Sequence, residues 1–167
     1  SPTGPPRTHQ LALMAAEEAM AQGGGPPDAI LMGSTTGGMC RTETLLKENR
    51  LDPSLFSYHG AGSVAEYLAV KLKCKGPAMT VSTACSSGGA AMAVALALLR
   101  TGKYTRVLTG GAESLCRLTY FGFHSLQLID PRGSRPLSRD HKGLTVSEGA
   151  GMLLLEGKTG MADPDEI

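Results

Sequence analysis

The stretch over residues 78–100 constrains this chain most. Ala78-Met79-Thr80-Val81 reads as a short buried strand, and 90–100 as an unbroken helix-forming run. That run, Ala90-Ala91-Met92-Ala93-Val94-Ala95-Leu96-Ala97-Leu98-Leu99, is apolar nearly all round. A helix of this kind is expected at the centre of a domain, with its alanines letting neighbours approach closely. Gly102 supplies its stop.

The rest of the chain repeats the alternation. A helix is predicted over 8–22, with Leu11, Met14, Ala15 and Glu18 at helical spacing and Gly23-Gly24-Gly25-Pro26-Pro27 as its terminator. A strand follows over 28–32, then the turn Gly33-Ser34-Thr35-Thr36-Gly37-Gly38 and a polar helix from about Thr42 to Glu48. The next helix begins at Ser63. Ser63 and Glu66 spell a capping box, and Val64, Tyr67, Leu68 and Leu72 line one face. Lys71, Lys73 and Lys75 crowd its C-terminal end, where the helix dipole favours cations. Strands are predicted over 106–110 and over Gly149–Glu156, with a loop-rich stretch over 115–144 between them. Apolar strands alternating with helices give an α/β domain with a largely parallel sheet. The four strands are expected in one mixed sheet, with 90–100 buried against it.

Composition narrows the function. A chain of 167 residues suffices for one domain with a sizeable core. With 19% charged residues and a net charge of +1, its composition gives no support for a nucleic-acid-binding surface. No apolar run approaches the ~18–20 residues of a membrane span. Four scattered cysteines without CxxC spacing argue against a zinc site or a disulfide scaffold and fit a reducing, cytoplasmic compartment. No residues point to a cofactor or a metal. The chain begins Ser1-Pro2 without an initiator Met and is read as processed, engineered or a fragment.

Cys85 is the candidate nucleophile. It sits in Thr83-Ala84-Cys85-Ser86-Ser87-Gly88-Gly89, at a strand-to-helix turn. The first N–H groups of a helix and the positive end of its dipole favour a thiolate there. Ser86 and Ser87 keep the neighbourhood polar, and Gly88 and Gly89 are expected to leave room for a substrate. Cys40, Cys74 and Cys116 lack such a setting and are read as structural.

These residues carry a resemblance. Gly33-Ser34-Thr35-Thr36-Gly37-Gly38, Gly76-Pro77 with Thr83-Ala84-Cys85-Ser86-Ser87-Gly88, and Gly110-Gly111-Ala112-Glu113 stand in the order of the motifs of β-ketoacyl-acyl carrier protein synthases. So do Ser134-Arg135-Pro136-Leu137, Gly143 and Glu148-Gly149-Ala150-Gly151. Over roughly residues 8–158 the chain resembles the N-terminal half of such a condensing enzyme, in the thiolase superfamily. The resemblance implies a thiolase-like α/β fold, with 1–167 as one incomplete half of a duplicated five-layered α-β-α-β-α architecture. It implies that Cys85 takes an acyl group from an acyl carrier protein thioester. A malonyl thioester then decarboxylates and attacks that group, in fatty acid or polyketide synthesis. It also implies a homodimer through the strand preceding Cys85. The family's two catalytic histidines and supporting lysine lie in downstream segments that this sequence does not contain, so the isolated chain is expected to be inactive.

His59-Gly60-Ala61-Gly62 is read as a turn, and His9, His124 and His141 as surface or loop residues. Phe121-Gly122-Phe123-His124 is read as core packing rather than as the border of an acyl pocket. Arg41, Lys47 and Arg50 are read as a solvated helix face rather than as a carrier-protein contact. Two further readings stay open: a non-catalytic partner subunit and a coenzyme A-dependent member of the thiolase superfamily. An α/β-hydrolase is disfavoured by the missing G-x-S-x-G elbow.

Overall fold

A computed structural model describes residues 4–23 and 25–157. Its four strands form one sheet: β1 (Ala29–Gly33), β2 (Ala78–Val81), β3 (Arg106–Glu113) and β4 (Gly149–Glu156), in the order β2-β1-β3-β4. β1 runs parallel to both β2 and β3, and β4 pairs antiparallel with β3 along its whole length. The sheet is mixed, as expected. β2 and β4 keep their predicted limits, but β2, expected to be buried, is a half-exposed strand at the sheet edge, with Met79 facing out. β1 is shifted on by one residue, and β3 runs three residues further.

β1 is buried along its whole length, as a central strand covered on both faces must be. Its alternating side chains split the core in two. Ile30 and Met32 join Leu108 and Ala112 under two helices, α1 (Arg7–Met20) and α3 (Ser63–Lys71), against Ala12, Ala16, Val64, Ala65 and Leu68. Ala29, Leu31 and Val107 face the opposite way, against Ala91 and Ala95 of α4 (Ser87–Arg100).

The expected central helix is half right. α4 packs on the sheet, but only Ser87, Ala91 and Ala95 are buried, and Val94 and Leu96 are 38% and 48% exposed. An all-apolar helix buries only the face that meets a partner, and the sheet supplies one face. Beyond β1 the chain forms α2 (Met39–Lys47), three residues earlier than expected.

Three other expectations are corrected. Ser63 does not cap α3. It is the first helical residue, and its hydroxyl donates to the carbonyls of Gly60 (2.6 Å) and Tyr58 (3.0 Å). His9 is not at the surface. It lies on the buried side of α1, fully covered, with Nε2 at 2.9 Å from Ser63 Oγ and Tyr58 and Tyr67 edge-on to its ring. The stretch after β3 contains a helix, α5 (Arg117–Ser125), instead of loop alone. Its Thr119, Tyr120, Phe121, Gly122 and Phe123 are weak helix formers. Its first turn is held by a residue of α2: the Glu43 carboxylate accepts from the N–H groups of Leu118 (2.7 Å) and Arg117 (2.8 Å). No helix among the described residues is long and apolar enough to cross a membrane.

Candidate functional site

The C-terminal ends of β1, β2 and β3 and the start of α4 converge on one polar corner. Between β2 and α4 the chain makes a single 3-10 turn at Ala84–Ser86, which holds Cys85. Ala84 is left-handed, at φ 55°. An alanine there costs about 1–2 kcal/mol, so the surroundings must hold the turn. Ser87 is the local clamp. Its hydroxyl donates to Ala84 O (2.6 Å) and accepts from the Thr83 N–H (2.9 Å). Ser86 Oγ adds a bond to Thr83 O at 2.9 Å.

Cys85 is exposed, while Cys40 and Cys74 are half-buried and Cys116 is buried. Burial pushes the Cys74 thiol above its usual range. Cys85 borders a cavity of about 410 Å³ walled by Gly33–Thr36, Ala112–Ser114, Phe123 and Val146. A larger groove, about 1050 Å³, lies between α2 and α5. Its lining is largely apolar, with Leu46, Leu115, Leu118 and Phe121, and its two cysteines, Cys40 and Cys116, are half-buried and buried, whereas Cys85 is exposed. The smaller cavity is therefore the candidate site.

Close approach of α4 to the sheet rests on Gly33. A Cβ there would strike the backbone of Ser87 and Gly88. Packing of α4 on the sheet does not demand glycine at Gly88 or Gly89. A Cβ at Gly89 would meet nothing within 4 Å, and one at Gly88 would reach Gly111 only at 3.8 Å.

Glu113, the last residue of β3, is the charged residue in the cavity wall. Its carboxylate gathers the turn after β1. The Thr35 N–H, the Thr36 N–H and the Thr36 hydroxyl all donate to it, and Ser34 Oγ donates at 3.2 Å. Sequence reading passed over this role because the donors lie almost eighty positions upstream.

The histidines do not converge here. None of the chain's four lines the cavity. His9 is locked beside Ser63, His59 Nδ1 lies 3.0 Å from Thr42 Oγ1, His124 stacks on Tyr120, and His141 Nδ1 lies 2.9 Å from Ser138 O. Of the aromatic run on α5, Phe123 does border the cavity, whereas Phe121 is 51% exposed rather than packed in a core. Arg41 is no solvated residue either. It is half-buried over the Tyr58 ring and bonds to the Gly4 carbonyl. Among the described residues no group of three His, Cys, Asp or Glu side chains is placed to hold a metal.

Residues 6–160 match the family model of the beta-ketoacyl synthase N-terminal domain. The chain belongs to the beta-ketoacyl synthase family. It is 32% identical to nodulation protein E of Rhizobium meliloti (strain 1021), over 90% of this chain and 41% of that protein. It is 29% identical to 3-oxoacyl-[acyl-carrier-protein] synthase 2 of the same organism, over 87% of this chain and 40% of that one. Among solved structures it resembles a ketosynthase from Xenorhabdus doucetiae, determined in complex with its chain length factor. The TM-score is 0.74 and the identity 32%, covering 92% of this chain and 42% of that one. The fold is that of the N-terminal half of a thiolase-like ketosynthase, and the chain spans about two-fifths of the length of the relatives it matches.

Proposed function

We propose that this family member carries the acyl-accepting part of a decarboxylating condensing enzyme, a β-ketoacyl-acyl carrier protein synthase, with residues 1–167 as part of its N-terminal ketosynthase domain. The observation that carries this reading is Cys85 itself. It is exposed at the edge of a cavity, on an elbow whose left-handed Ala84 is clamped by Ser87.

In this reading the Cys85 sulfur attacks the carbonyl of a carrier-protein thioester. The carrier's sulfur leaves, taking up the proton that Cys85 gives up, and a new thioester remains on the enzyme. The Cys85 N–H is one donor to the oxyanion, an interaction of a kind worth ~2.7–4 kcal/mol. A malonyl thioester then loses carbon dioxide. Its carbanion attacks the Cys85-bound carbonyl, a carbon–carbon bond forms, and the Cys85 sulfur leaves. With no histidine at the cavity wall, the second half-reaction depends on groups outside this set, and the 167-residue chain alone is proposed not to condense. The proposed partners are an acyl carrier protein and a second copy paired through β2, the half-exposed strand at the sheet edge.

Intact-mass spectrometry after incubation with an acylated carrier protein tests the reading. One acyl group should be gained by the native protein and none by Cys85→Ala. A limiting dose of iodoacetamide should label Cys85 ahead of Cys40, Cys74 and Cys116. Acylation retained in Cys85→Ala, or label spread evenly over the four cysteines, would overturn it. Absence of any acyl uptake would favour the partner-subunit reading.

A further inference from the structure

We propose that Glu113 is a positioning residue for Cys85, acting as a clasp that fixes the Ser34–Thr36 turn against the elbow; this rests on Cys85 being the nucleophile. The turn offers Glu113 two backbone N–H groups and two hydroxyls. A carboxylate accepts all four, because it brings only acceptors. An amide of the same shape does not, because its NH₂ meets donors.

The clasped turn touches the elbow in three places. The Ser34 N–H donates to the carbonyl of Val81, the last residue of β2 before the elbow, at 3.3 Å. Gly33 lies against the backbone of Ser87 and Gly88. Thr35 Oγ1 donates a long bond to Ala84 O at 3.4 Å and lies 3.5 Å from Ser87 Oγ. Thr35 thus shares with Ser87 the carbonyl of the left-handed Ala84. Glu113 therefore acts on the sulfur through the backbone, without touching a reacting atom. Thr8 and Ser114 brace the same turn from behind: Thr8 Oγ1 donates to Gly37 O at 2.6 Å and lies 2.7 Å from Ser114 Oγ.

The test is the second-order rate of Cys85 alkylation by iodoacetamide in the full-length protein, followed peptide by peptide, with Cys40 and Cys74 as internal reporters of the fold. Glu113→Gln should slow Cys85 by about ten- to a hundredfold, the scale of a misplacement near 1 Å, and leave Cys40 and Cys74 unchanged. Glu113→Asp should recover part of the rate. Thr36→Val, which removes one donor of the same clasp, should slow Cys85 by a smaller factor and add nothing on the Glu113→Gln background.

A native rate in folded Glu113→Gln would overturn the proposal, as would independent, multiplying effects of the two changes. If Glu113→Gln fails to fold, Thr36→Val decides alone, and a native rate there overturns it. If the native protein takes no acyl group from a carrier thioester yet shows this alkylation pattern, the positioning role stands and the condensing function falls.

Discussion

The two faces of the sheet are covered unequally. Under α1 and α3 the core around Ile30, Met32, Leu68 and Leu108 is sealed. Under α4 the seal follows one line, Ala91 and Ala95, and the helix turns Val94 and Leu96 outward. Yet α1 is the more polar helix, with Arg7, Gln10, Glu17 and Glu18 along it, while α4 has only Arg100 as a charge. Burial thus follows the number of neighbouring elements a helix meets rather than its hydrophobicity. α1 gains its cover because α3 packs beside it on the same face of the sheet, and α4 has the sheet alone.

That contrast can be broken most sharply at Leu68, which is fully buried on the sealed face. Leu68→Ala should cost about 2–5 kcal/mol of unfolding free energy in urea titrations, the range for a large-to-small core change. A loss within surface scatter would mean that the sealed face is not where stability resides.

A smaller effect, confined to acid, is expected from His9 on the same face. Burial, with the Arg41 charge adding and the Ser63 hydrogen bond opposing, lowers its pKa from 6.5 to about 4. Below pH 6.5 the unfolded chain takes up a proton that the folded chain refuses until about pH 4. Stability should therefore be full above 6.5, fall as the pH drops through that window, and level off below it. His9→Phe should flatten this part of the profile, whatever it does to stability at neutral pH. An unchanged slope would assign the acid loss to other groups.

The smallest effect belongs to the open face. Leu96→Ser should change the stability of the 167-residue chain by no more than about 0.5 kcal/mol. A cost near that of Leu68→Ala would mean that the outer face of α4 is packed in solution.

Local signals carried much of this into the sequence. β2, β4, the start of α3 and the Cys85 turn are each encoded by neighbours: an apolar run, a Gly-Pro stop, a polar turn before an alanine-rich helix. Four of the misses depend on distant partners. α5 takes its N-terminal cap from Glu43, more than seventy positions earlier. His9 looks like an ordinary polar residue until Tyr58, Ser63 and Tyr67 close over it. Ser63 and Glu66 have capping-box spacing, but the chain enters the helix one residue sooner and the serine turns to His9. Glu113 reads as the end of a strand, and its work lies in a turn that only the sheet brings to it.

The ion pair between Arg7 and Glu148, 2.9 Å long, ties the first turn of α1 to the approach to β4. Those residues are 141 positions apart. On the ribosome α1 therefore emerges well before the strand it packs beside. At synthesis rates of about 5–20 residues per second, roughly 7–28 seconds separate the two. In that interval α1 has α3 and β3 to rest on, but its flank along β4 stays bare. α1 is thus completed only once β4 has emerged, and until then its bare flank is open to wrong partners.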